Sequence, residues 1–114
     1  MAVYFGFALA DSMFGDDCII HRYSITPEEV RTLAQDGKLT PCLNPSHAAT
    51  IGAMRARFDI DVEIPATPPR VSLTHGDRVI VMGVRGLPRL TDRHEYTEKE
   101  IAEAAFVFSC YTVI

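Results

Sequence analysis

The sequence predicts an α/β fold: one mixed-sheet domain spanning residues 1–114, with interleaved strands and about three short helices. Three observations lead there. β-rich apolar segments alternate along the chain with helical patterns. Two helices announce themselves with capping boxes, T-P-E-E at 26–29 and T-E-K-E at 97–100. No repeat, low-complexity tract or linker divides the chain, and a 47% hydrophobic composition is enough for a core of its own.

In chain order, VYFGFA (3–8) reads as a buried strand, and LADSMFGDD as a loop. CIIHRYS (18–24) reads as a second strand. ITPEEVRTLAQDG is a fully punctuated helix: Thr26 caps it, Pro27 opens it, Glu29 closes the box and Gly37 ends it. KLTPCLN is a short strand leading to a second helix, which Asn44 can cap and Pro45 can open. That puts His47 in the first turn. His47, Ile51, Met54 and Phe58 then form one apolar stripe, with Arg57 pointing elsewhere and Arg55 near its edge. DIDVEIP (59–65) is a strand candidate. RVSL and RVIVMGV read as two strands of a hairpin turning through THGD at 74–77. RGLPRLTDRHE (85–95) is a polar loop, Thr97 and Glu100 start the last helix, and FVFSCYTVI is a final buried strand.

Composition excludes several functions. A formal net charge of −4 argues against general binding to duplex nucleic acid. No apolar run reaches the ~20 residues of a membrane span, and the apolar opening MAVYFGFALA lacks a basic leader. The expected location is therefore the cytoplasm. Cys18, Cys42 and Cys110 have no metal-type spacing and read as buried thiols in a reducing compartment. No metal or cofactor is expected, and neither a P-loop, a G-x-G-x-x-G nor an H-E-x-x-H motif is present.

Two features are candidates for chemistry. His47 sits at a helix start, where free N–H groups attract anions; its place on the apolar stripe equally suits a packing role. Seven arginines fall between 55 and 93, namely Arg55, Arg57, Arg70, Arg78, Arg85, Arg89 and Arg93. The arginine fork suits paired contacts to phosphate. In the 85–95 loop, Asp92 could orient one of them; alternatively the loop is simply solvated. His21, His75 and His94 are scattered, with His75 exposed in its turn.

Taken in order, V-Y-F, T-P-E-E-V, S-H-A-A-T-I, P-R-V-S-L, G-D-R-V-I-V and R-L-T-D make the chain resemble the viral ring nucleases, small type III anti-CRISPR proteins. The likeness covers nearly the whole chain. It implies a homodimer that binds cyclic tetraadenylate across its two-fold axis and cuts the ring without metal. It also implies that a ribose 2′-hydroxyl attacks the adjacent phosphate while a histidine protonates the leaving 5′-oxygen. His47 matches that histidine, preceded by Ser46. Arg70 matches a ligand-holding arginine, and Arg89 with Asp92 matches the family's R-L-x-acid motif. Arg85 is the alternative to Arg89, because the loop length is ambiguous. The family's first strand ends in a ligand-contacting asparagine; here Phe7 stands there beside Ala8, and a later polar contact falls near Ser12. The chain also has P-S-H where the family has I-G-H. The expected function is thus a metal-independent ring nuclease that counters cyclic-oligoadenylate signalling. The alternatives are a non-catalytic sponge for such a messenger and a dimeric protein-interaction module.

Overall fold

The computed structural model describes residues 2–43, 48–67, 69–86 and 97–114, apart from the side chains of residues 98, 101 and 102. Five strands and three α-helices alternate in the chain: β1 (Val3–Gly6), β2 (Ile20–Ser24), α1 (Pro27–Gln35), β3 (Thr40–Pro41), α2 (Ala48–Phe58), β4 (Arg78–Arg85), α3 (Glu98–Glu103) and β5 (Ala105–Val113). A 3-10 turn at Asp11–Met13 lies between β1 and β2. The strands form one mixed sheet in the order β2-β5-β4-β1-β3. β1 is parallel to both β3 and β4, while β5 runs antiparallel to β4 and β2. The predicted α/β class with a mixed sheet is what the chain forms.

Local chemistry explains the helix ends. Thr26 Oγ1 accepts the Glu29 N–H at 3.2 Å, and the Glu29 carboxylate accepts the Thr26 N–H in return. The same exchange joins Thr97 and Glu100, at 2.9 and 3.1 Å. Gly37 adopts a left-handed φ of 68°. Its N–H donates to Ala34 and the Lys38 N–H donates to Leu33, which closes α1 with a complete Schellman motif. α2 ends at the left-handed Asp59, φ 57°, a conformation that aspartate tolerates better than most residues.

Period-2 burial splits the sheet into two faces. Phe5, Ile80, Met82, Phe106, Phe108 and Cys110 meet α1 and α2 in the main core, where Val30, Ile51 and Met54 are buried. The expected stripe of α2 is therefore real over Ile51, Met54 and Phe58; His47 lies outside the described residues, as do Asn44 and Pro45. On the opposite face, Val71, Leu73 and Val79 form a smaller core with Leu9, Met13 and Phe14. β2 runs in the same direction as β1, so residues 7–19 return along the sheet, and Leu9, Met13 and Phe14 of this segment pack on the second face.

Four expectations need correction. RVSL is not a strand: β4 is central, both its edges are taken by β1 and β5, and the Leu73 N–H donates instead to Met13 O at 2.7 Å. THGD is a turn, closed by Asp77 N–H to Thr74 O at 2.9 Å, but not a hairpin. DIDVEIP keeps the alternation of a strand, with Ile60 and Val62 buried and Asp61 and Glu63 exposed, yet joins no ladder. The neighbouring edge strand β3 is only two residues long, and one of them is Pro41, which lacks an N–H. The thiols are not uniformly buried: Cys18 is exposed, Cys42 intermediate and only Cys110 buried. β5 is flanked on both edges, and Ile51 and Met54 are sealed in the core.

Candidate functional site

β3, β1 and β4 are parallel neighbours, so their carboxyl ends share one edge of the sheet. In α/β sheets ligands bind at this edge, because the strand-to-helix loops converge there. The sequence motifs sit accordingly: Phe7 follows β1 at Gly6, the S-H dipeptide comes shortly after β3, and Arg85 closes β4. Ser46, His47, Arg89 and Asp92 themselves lie outside the described residues.

The structure brings Ser12 and Arg70 together. They line one pocket of about 280 Å3 with Met13, Cys42 and Val71. Three segments make it: the 3-10 turn, the exit of β3 and the stiff Pro69 segment. Backbone bonds hold them in place. The Leu73 N–H donates to Met13 O, and the Cys42 N–H donates to Phe5 O, each at 2.7 Å. Arg70 is exposed and makes no ion pair among the described residues, so its guanidinium is available to an anion. Burial pushes the Cys42 thiol up, against the opposing effect of a Phe5 backbone hydrogen bond. Cys42 forms one wall of the pocket.

Other candidates stay apart from this pocket. The Phe7 ring is half-buried, packs edge-on against Phe5 at 6.0 Å between centroids and joins the helix-side core. Ala8 is exposed and, like Phe7, does not line the pocket. Arg85 is exposed at the end of β4, opposite Ala105. It stands four residues beyond Val81, the partner of Gly6, a distance of about 13 Å at the usual strand rise.

The arginine run also divides. Arg55 pairs with Asp61 at 2.8 Å in the open. Arg57 hydrogen-bonds the Ala104 carbonyl and lies 4.6 Å from the Phe106 ring centroid, so it clamps α2 to the start of β5. Both have structural work that explains them. Arg78 begins β4, at the opposite end of the sheet from Arg85. Of the seven arginines, Arg70 and Arg85 are the described ones left for the carboxyl edge. Sequence reasoning missed Cys42 and Met13 as pocket walls; no motif marks them, since only the return of residues 7–19 across the sheet brings Met13 there. Among the described residues, no group of three His, Cys, Asp or Glu side chains is placed to hold a metal, and no helix is long and apolar enough to cross a membrane.

No family model matches the chain, and no curated protein matches it. Its architecture has a counterpart among solved structures. B116 of Sulfolobus turreted icosahedral virus superposes with a TM-score of 0.67 over 98% of this chain and 99% of that one, at 16% identity. The fold is shared with a viral protein. At that identity the likeness speaks for the fold alone.

Proposed function

We propose that this chain is a metal-independent ring nuclease that opens a cyclic oligoadenylate, cyclic tetraadenylate first among them, and so blunts a nucleotide-signalled defence. One observation carries the reading. Two sequence motifs assigned to phosphate chemistry, S-H and the arginine loop, follow the parallel strands β3 and β4 at one edge, beside a pocket lined by Ser12 and by Arg70, which makes no ion pair among the described residues. The fold shared with a viral protein agrees with a viral counter-defence role.

The reaction asks little of the protein. The ribose O2′ forms a bond to the adjacent phosphorus, the P–O5′ bond breaks, and His47 gives its proton to O5′. The proton lost from the 2′-hydroxyl passes to water, from which the imidazole is recharged. Arg89 or Arg85, oriented by Asp92, would stabilise the phosphorane charge, and Arg70 would hold a neighbouring phosphate. A pocket of about 280 Å3 accommodates part of a four-nucleotide ring. Two copies of the chain would enclose the rest, which is why the proposed form is a homodimer.

The test incubates the protein and its His47→Ala variant with labelled cyclic tetraadenylate in EDTA. Linear products ending in 2′,3′-cyclic phosphate, absent with the variant, are the expected result. Intact ring with no retained ligand refutes the proposal. One observation favours a sponge as the second reading: the Phe7 ring is committed to the core, at the place where the resembled family uses an amide on the ligand. Stoichiometric capture of intact ring, unchanged by His47→Ala, would establish that reading instead.

A further inference from the structure

The other end of the sheet carries a second concentration of positive charge. Four strands contribute one row of directly paired residues: His21 of β2 opposite Thr112 of β5, Thr112 opposite Arg78 of β4, and Arg78 opposite Val3 of β1. Direct partners across a pleated sheet point to the same face. Tyr23, two residues along β2 from His21, shares that face, and its ring centroid lies 5.4 Å from the His21 imidazole. The row floors an open pocket of about 790 Å3, closed on one side by Lys38. Lys38 is fixed there by the Schellman motif, whose last bond is its own N–H to Leu33 O at 3.0 Å.

The charges in this pocket are unanswered. His21, Lys38 and Arg78 make no ion pair or side-chain hydrogen bond among the described residues. The acids nearest along the chain do not neutralise them. The Asp77 carboxylate is occupied by the Ala2 N–H at 2.9 Å and by the Thr74 N–H and hydroxyl at 2.9 and 3.0 Å. Asp36 makes no ion pair with Lys38. In a protein of net charge −4, Lys38 and Arg78 at one concavity, with the His21 imidazole beside them, focus a local positive field. Beside them lie an apolar floor at Val3 and a pair of aromatic rings, surfaces that suit a flat organic group.

We propose that this amino-edge pocket binds a small organic phosphate of mononucleotide size. Its phosphate sits among Arg78, Lys38 and His21, and its ring rests on Val3 and the Tyr23–His21 pair. The site is independent of the carboxyl-edge pocket and of any nuclease activity, since it shares no residue with Ser12, Arg70 or the motifs after β3 and β4.

The test is an NMR titration of isotope-labelled protein with adenosine monophosphate, with inorganic phosphate and with uncharged adenosine. Adenosine monophosphate should shift the amides of Val3, Gly76, Arg78 and Thr112. Lys38→Gln and Arg78→Gln should each weaken binding by roughly tenfold. Lys38 is an exposed turn residue, so its variant reports on binding even if the Arg78 change disturbs the sheet. Adenosine alone should not compete. Three outcomes would overturn the proposal: no shift at these amides with millimolar nucleotide, equal binding of adenosine, or inorganic phosphate binding as tightly as the nucleotide. The cyclic-ring assay reads the other end of the sheet, so either result there leaves this one standing.

Discussion

The two ends of the sheet are built in opposite ways. At the carboxyl end, candidate residues sit on connections between elements, and the connections decide what meets what. Ser12 and Arg70 converge because a returning loop and a Pro-stiffened segment pack on the second face, while Phe7, one residue past β1, turns into the core. At the amino end the charged groups stand mainly on strands, and the ladder register alone aligns His21, Thr112, Arg78 and Val3. Loops allow a site to change its chemistry without disturbing the core. A register row cannot be altered so locally, because a one-residue slip would turn every side chain to the other face.

If the two ends are independent, substitutions at one should leave the other unmoved. The largest effect is expected from His47→Ala, which should lower cleavage of cyclic tetraadenylate by about a hundredfold or more in single-turnover assays. It should leave the nucleotide titration at the amino edge unchanged; loss of both would show one coupled site. Arg70→Ala should weaken retention of the ring by roughly tenfold in a filter-binding assay, again without effect at the amino edge.

The Asp77 turn anchors the amino end. Hydrogen bonds from Thr74 and Ala2 hold its carboxyl below the usual carboxylate range, the Thr74 backbone N–H contributing most. A carboxyl depressed in the folded state adds stability above its unfolded pKa, and that stability is lost as pH falls through the folded value. Asp77→Asn should therefore lower the Tm at neutral pH. Its urea midpoint should also fall less steeply than that of the parent protein as pH drops below about 4. Parallel curves would show that this turn does not set acid stability.

Gly37→Ala should cost about 1 kcal/mol in urea unfolding, because φ 68° strains any residue with a Cβ. It should also weaken nucleotide binding at Lys38 more than cyclic-ring binding. The smallest change is expected for Arg55→Ala. With both partners of the Arg55–Asp61 pair more than half exposed, its removal should alter stability by less than about 0.5 kcal/mol.

By itself the sequence determined what local rules govern. The capping boxes at Thr26 and Thr97, the Gly37 stop, the Ile51–Met54–Phe58 stripe and the last strand are written in neighbouring residues. Each depends on hydrogen bonds or periodicities that span only a few positions. Only the tertiary structure decided pairing. Residues 70–73 and 59–65 have the pattern of strands, but a strand needs a free edge. β1 and β5 had taken both edges of β4, and Pro41 leaves the short β3 edge one donor fewer. For the same reason, the described members of an arginine run close in sequence became an exposed ion pair, a helix clamp and basic groups at opposite ends of the sheet, and a histidine with no motif joined Arg78 across three strands. Distance along the chain sets local hydrogen bonding; distance across a sheet is set by which edges remain open when each strand arrives.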